Sequence, residues 1–179
     1  EGEYLNGKRN GKGKEYYNNG KLLFEGEYLN GKRNGKGKEY YDGKLKFEGE
    51  YLNGERNGKG KEYDYNGKLE FEGEYLNGER NGKGKEYYFF NDKLKFEGEY
   101  LNGEKNGKGK EYYIFNDELK FEGEYLNGKR WIGKGYNRDG KIDLIIKEGK
   151  GKGKEYSYDG KIEFEGEYLN GERNGKGKE

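Results

Sequence analysis

Leu45–Tyr63, LKFEGEYLNGERNGKGKEY, is the stretch whose reading decides the fold. Leu45, Phe47, Gly49 and Tyr51 alternate with Lys46, Glu48, Glu50 and Leu52, and period-two alternation carrying aromatics is the pattern of a half-buried strand. Asn53-Gly54 and Asn57-Gly58 then bracket Glu55-Arg56. Asn-Gly takes the positive φ angles of a tight reversal, so the sequence predicts a short loop here. The chain returns as Gly58-Lys59-Gly60-Lys61-Glu62-Tyr63. Pairing the arms about that loop puts Tyr51 opposite Gly60 and Glu50 opposite Lys61. A glycine across from a ring lets the ring lie over bare backbone. Each Glu–Lys pair on the water-facing side contributes about 0.2–1 kcal/mol. Helix is disfavoured, because each of these glycines costs about 1 kcal/mol in a helix interior.

The same block recurs along the chain. Its Glu-Gly-Glu glycine falls at Gly2, Gly26, Gly49, Gly73, Gly98, Gly123 and Gly166, at spacings of 24, 23, 24, 25, 25 and 43, the last being two shortened periods. Such a period marks a repeat array in which neighbouring units stack into one continuous core. Turns such as Asp42-Gly43 and Asn66-Gly67 lead from one hairpin to the next. The expected fold is all-β: an elongated single-layer antiparallel meander of about eight stacked hairpins, one array over residues 1–179, with an irregular unit at 131–153. Residues 1–15 and 165–179 are near-identical hairpins without distinct caps. The expectation is a segment of a longer protein, or one that self-associates edge to edge.

Composition narrows the chemistry. Hydrophobic content of 28%, charged content of 41% and a mean hydropathy of -1.55 would suit a disordered chain. The 20 Tyr and 9 Phe recur at fixed places, however, and 37 Lys+Arg nearly cancel 36 Asp+Glu, so the periodic reading prevails. With no Cys there is no disulfide or thiolate metal site, and with no His the usual neutral-pH acid–base and metal ligand is missing. Gly31–Lys38, GKRNGKGK, resembles a phosphate cradle, but the P-loop spacing is absent and Glu39 stands where Ser or Thr should follow. Glu25 and Glu27 recur in every unit in like surroundings, whereas a catalytic pair needs two different ones. No enzyme activity, catalytic residue, cofactor or metal is expected. Near-neutral charge also argues against nucleic acid.

Phe24, Gly26, Tyr28, Gly31, Gly35 and Gly37, and again Phe47, Gly49, Tyr51, Gly54, Gly58 and Gly60, follow the order aromatic-x-Gly-x-aromatic, x-x-Gly-x-x-x-Gly-x-Gly. This resembles the MORN (membrane occupation and recognition nexus) repeat. The resemblance implies an elongated β-hairpin array, usually non-enzymatic, serving as scaffold or interaction platform, with some members linked to phospholipids or dimer formation. The second aromatic is Tyr rather than the frequent Trp or Phe. The lead-in Gly43-Lys44-Leu45-Lys46-Phe47 resembles the variant MORN-like repeats of some bacterial proteins.

Departures from the repeat are the places that carry individual information. The connecting turn becomes Tyr88-Phe89-Phe90-Asn91-Asp92 and then Tyr113-Ile114-Phe115-Asn116-Asp117 in consecutive units. Phe89, Phe90, Ile114 and Phe115 are therefore candidates for one exposed apolar patch; the competing reading folds these rings back over the sheet as local core. Trp131-Ile132 replaces Asn-Gly, and Lys141–Gly149 lacks the aromatics, either as drift with Ile replacing aromatic core or as a docking feature centred on Trp131. The sequence thus predicts a non-enzymatic scaffold that engages a protein partner through Phe89, Phe90, Ile114, Phe115 and Trp131, with a cytoplasmic location. The alternative is a peripheral module binding anionic phospholipid through Lys32, Arg33, Lys36 and Lys38 at a hairpin end. Against that alternative, Glu55, Glu79, Glu104 and Glu172 replace Lys32 in other units.

Overall fold

The structure, a computed structural model, describes residues 1–178, with side chains through Asn174. It divides at Gly82–Lys83 into two units. The first holds β1 (Gly2–Leu5), β2 (Lys8–Tyr16), β3 (Leu22–Leu29), β4 (Lys32–Tyr41), β5 (Lys44–Leu52), β6 (Glu55–Tyr63) and β7 (Leu69–Leu76). Strand β8 (Glu79–Tyr87) runs through the division. The second unit holds β9 (Leu94–Leu101), β10 (Glu104–Tyr112), β11 (Leu119–Leu126), β12 (Lys129–Tyr136), β13 (Ile142–Lys147), β14 (Lys150–Tyr156), β15 (Ile162–Leu169) and β16 (Glu172–Lys178). Within each unit the strands lie in chain order, as an antiparallel meander of hairpins. The eight hairpins expected from the repeat are all present.

The hairpin is built differently from the expectation at its tip. Leu52 pairs with Glu55, so Asn53-Gly54 alone make the turn, with φ of 54° and 100° as a type I′ reversal requires. The second Asn-Gly is not loop. Between the pairs Tyr51–Arg56 and Gly49–Gly60, Glu50 faces Asn57, Gly58 and Lys59, so two extra residues form a bulge in β6. Gly58 sits at φ 84°, and a Cβ there would lie 2.1 Å from the Glu50 carboxylate folded over it. The same arrangement in the second unit lets Glu99 accept the Lys108 backbone N–H at 2.8 Å. The bulge moves the register by two residues: Lys61 opposes Glu48, not Glu50, and Gly60 opposes Gly49, not Tyr51.

The bulge also joins one repeat to the next. It turns the Arg33 carbonyl outward to accept the turn N–H of Gly54 at 2.8 Å, and the Arg56 carbonyl to accept that of Gly78 at 2.9 Å. Each tip is thereby tied to the preceding tip. Rings do lie over bare backbone, as expected, but the ring above Gly60 is that of Phe47, with Tyr75 of the following repeat beside it. Phe47 and Tyr51 share a face and meet edge to face at 5.7 Å, and Phe47 meets Tyr75 at 5.1 Å. Such contacts add about 0.5–1.5 kcal/mol beyond area burial. Phe96 meets Tyr100 at 5.6 Å and Tyr125 at 5.2 Å in the second unit.

A single sheet has no second layer to cover these rings, yet Phe24, Phe47, Phe71, Phe96 and Phe121 are fully buried. Arginine supplies the cover. The guanidinium of Arg56 lies 4.1 Å from the Phe47 ring centre while it bridges Glu39 at 2.7 Å and Glu62 at 3.1 Å. Arg33 does the same over Phe24, between Glu15 and Glu39. Cation–π attraction and the aliphatic stem both favour this seat. The opposite face is a Lys–Glu ladder, with Lys14–Glu25 at 3.5 Å, Lys38–Glu48 at 3.4 Å and Lys61–Glu72 at 3.7 Å.

Candidate interaction surface

Two connecting loops of the second unit carry the feature that the sequence singled out. Ordinary connections are short: Asp64 N–H donates to the Lys68 carbonyl at 2.8 Å, and the Asp64 carboxylate accepts from the N–H groups of Asn66 and Lys68. The 88–93 and 113–118 loops are one residue longer. Each is closed by a backbone bond of 2.8 Å, from Tyr88 to Lys93 and from Tyr113 to Glu118. The added residue enters where Asp92 and Asp117 adopt φ of 58° and 56°.

The two loops are fastened side by side. Asn91 Nδ2 donates to the Ile114 carbonyl at 2.5 Å, and Lys93 Nζ reaches the Phe115 carbonyl at 2.6 Å and the Asp117 carboxylate at 3.1 Å. The Tyr88 hydroxyl donates to the Tyr112 carbonyl at 2.9 Å, and that of Tyr113 to the Tyr136 carbonyl at 2.7 Å. Burial, then the charge of Glu111, pushes the Tyr88 hydroxyl up to about 12, so it remains a donor at neutral pH.

With the backbones tied down, the rings stand outward. Phe89 meets Phe90 at 5.0 Å, Phe90 meets Phe115 at 5.9 Å, and Phe115 meets Tyr158 at 5.7 Å. Their exposures are 61%, 42%, 51% and 63% for Phe89, Phe90, Phe115 and Tyr158, so folding back as local core does not occur for these rings. Ile114 is half-buried beside them. Tyr158 was missed by sequence reasoning because Ser157-Tyr158-Asp159-Gly160 reads as an ordinary turn. No local signal marked it, because Tyr158 stands two connecting loops from Phe115, with the 137–141 loop between them.

Trp131 lies elsewhere. It is half-buried on the turn between β13 and β14, where a Cβ on Gly149 would come within 2.5 Å of its ring. Its carbonyl accepts the Gly149 N–H at 2.8 Å, the role that Arg56 plays for Gly78. In β13, Leu144 and Ile146 are buried, so aliphatic side chains do replace the aromatic core there, but Ile142 and Ile145 face water.

The basic cluster expected at one hairpin end is dispersed. Arg33 caps Phe24 on the ring-bearing face, whereas Lys38 pairs with Glu48 on the other. Among the described residues no group of three or more His, Cys, Asp or Glu is placed to hold a metal ion, and no helix is long and apolar enough to cross a membrane.

Sequential antiparallel hairpins, a ring-over-glycine core and tip-to-tip hydrogen bonds define a β-hairpin repeat protein. The MORN repeat model matches residues 1–21, 24–44, 47–68, 71–89, 96–114 and 164–179, more than half of the chain, which belongs to the MORN repeat family. The span 115–163 falls between matches. No curated protein matches the chain. MORN repeats in general serve protein–protein or membrane and lipid interactions.

Proposed function

We propose that this chain is a non-enzymatic scaffold that holds a protein partner through the ring cluster Phe89, Phe90, Phe115 and Tyr158. The observation that carries the reading is four exposed aromatics in mutual contact on loops whose backbones are hydrogen-bonded in place. Exposed rings held on a rigid frame lose little conformational freedom on binding, and aromatic clusters dominate interface hot spots. Binding to anionic lipid is the second reading, supported by the exposed lysines at hairpin tips such as Lys8 and Lys32.

A photo-crosslinker placed at Phe115 in the full chain, with and without Phe90→Ser, tests the first reading. A discrete protein adduct that Phe90→Ser abolishes supports it. Co-sedimentation with phosphatidylserine vesicles at two salt concentrations tests the second. Strong, salt-sensitive sedimentation unaffected by Phe89→Ser would favour lipid and reject the ring cluster as the working surface.

A further inference from the structure

The hairpin β13–β14 departs from its neighbours in one physical respect: it has no bulge. Leu144 pairs with Gly153, Ile145 with Lys152, Ile146 with Gly151 and Lys147 with Lys150, without interruption. In regular hairpins the residue at the place of Ile145 is Glu50, Glu74 or Glu99, whose carboxylate folds over the bulge glycine. Without a bulge that carboxylate has nothing to cover, and the position is free to become apolar.

The substitution changes the charge of the outward face. Lys59 faces Glu74 across the strands in a regular repeat, but the matching Lys134 faces Ile145. Lys152 faces Ile145 from the other side. At the tip, where Leu52 pairs with Glu55, Lys147 pairs with Lys150. Lys134, Lys147, Lys150 and Lys152 are all exposed, and none makes an ion pair among the described residues. Ile145, 48% exposed, lies among them, and Ile132, 42% exposed, stands two residues from Lys134 on the same face. Two carboxylates lie within the group: Glu148, in the turn, and Asp143, two residues from Ile145 on the same face, which is engaged by the Tyr156 hydroxyl and the Asn137 side-chain amide.

We propose that this face of β12–β14 is a docking site for a short acidic protein segment that carries an apolar side chain. Four lysines supply the charge complement, and Ile132 and Ile145 supply an apolar seat between them. The site is three strands wide, about 10 Å, and carboxylates bound it on both sides: Glu122 and Glu124 on β11, Glu165 and Glu167 on β15. A flat anionic membrane would press on those carboxylates as well, whereas an extended peptide fits between them. The site lies on strands, apart from the aromatic loops, and does not depend on them.

The test is fluorescence anisotropy of a short labelled peptide alternating Glu with Leu, titrated with the full chain. Binding that weakens with salt is expected, together with a loss of about tenfold or more on Ile145→Glu. Lys147→Leu should weaken it as well. Both variants restore residues that regular repeats carry at these places, and circular dichroism checks that the fold is kept. Binding unchanged by Ile145→Glu, absence of binding at low salt, or equal binding of the matching Lys-Leu peptide overturns the proposal. So does sedimentation with phosphatidylserine vesicles that is sensitive to Ile145→Glu while the peptide fails to bind.

Discussion

Gly60→Ala isolates the contact on which each repeat depends. Gly60 lies outside the left-handed φ region, so alanine brings no backbone strain. What it brings is a methyl 2.4 Å from Phe47 Cζ and 2.6 Å from Cε2, with Tyr75 Cε2 at 3.1 Å. Real Cβ atoms do not approach so closely, and the Phe47 ring must move. Its retreat is blocked, because Arg56 covers one side at 4.1 Å and Tyr51 and Tyr75 abut its edges at 5.7 and 5.1 Å. Overpacking costs about 1–3 kcal/mol in general. Loss of one edge-to-face contact adds about 0.5–1.5 kcal/mol, so about 2–3 kcal/mol is expected.

A repeat array need not unfold in one step, so a global melting point is the wrong readout. Hydrogen exchange resolved by strand is the right one: amides of β5, β6 and β7 should exchange about 30-fold to 160-fold faster. Phe47→Leu tests the cause. It costs stability alone, but in combination the alanine methyl occupies space the ring has vacated, so the double variant should be milder than the sum by at least about 0.5 kcal/mol. Gly67→Ala is the control, since a Cβ there meets nothing within 4 Å and its cost, from φ 81°, should add to Phe47→Leu without coupling. Strict additivity for Gly60→Ala, or wild-type exchange in β5–β7, would refute the ring-over-glycine account.

The remaining expectations concern charge and surface. Arg56→Ala uncovers Phe47 and leaves Glu39 and Glu62 short of a partner, at a cost of about 2 kcal/mol by local exchange. Arg56→Lys should cost less than about 1 kcal/mol, because Lys105 already covers Phe96 at 4.1 Å while pairing with Glu86 at 3.3 Å. Burial alone would raise the pKa of Glu111, but the charge and hydrogen bonds of Arg130, with Lys105 and the Tyr125 hydroxyl, bring it down to about 2. The folded value lies below the ordinary 4.5, so the stabilisation is complete above that pH and is lost as pH falls from 4.5 toward 2. Carboxyl NMR titration checks this, and a midpoint near 4.5 would contradict it. Phe90→Ser with Phe115→Ser should change stability by less than about 0.5 kcal/mol by local exchange, because both rings are exposed; a larger loss would make them structural.

The strands and their order were legible because the repeat supplies the same signal many times over. The tip was misread for an identifiable reason. Asn-Gly accepts positive φ equally in a turn and in a bulge, and nothing local separates Asn53-Gly54 from Asn57-Gly58. What separates them is the next repeat, whose Gly78 N–H needs the Arg56 carbonyl that the bulge exposes. The same error concealed the arginines: with Arg56 placed in a loop, its seat over Phe47 could not be foreseen. Phe89, Phe90 and Phe115 could be named from their departure from consensus, but exposure had to come from the loop backbone bonds that leave the rings no path inward. Ile145 was grouped with the replaced core because Ile-Ile reads as apolar. Alternation along β13 divides the pair, burying Ile146 and exposing Ile145.

A partner that read only consensus residues would meet the same surface at each regular repeat and would bind in several registers with equal free energy. Selecting one register requires residues that occur once, and these lie in Lys83–Glu179: the paired longer loops with Phe89, Phe90 and Phe115, and the bulge-free hairpin with Ile145. The arrangement of the departures therefore predicts a stoichiometry. The acidic peptide should saturate at one per chain by equilibrium titration, although Lys–Glu ladders of the same composition are present in every regular repeat. Several equivalent sites would mean that the ladder itself is recognised, and the irregular hairpin would lose its claim to be a site. Transplanting the departure gives the converse. Glu74→Ile with Leu76→Lys should produce weak additional binding only, because the β7–β8 hairpin keeps Asn81-Gly82, whose Gly82 at φ 78° holds the bulge conformation. Full-strength binding at the transplanted site would show that two side chains suffice and that the missing bulge is incidental.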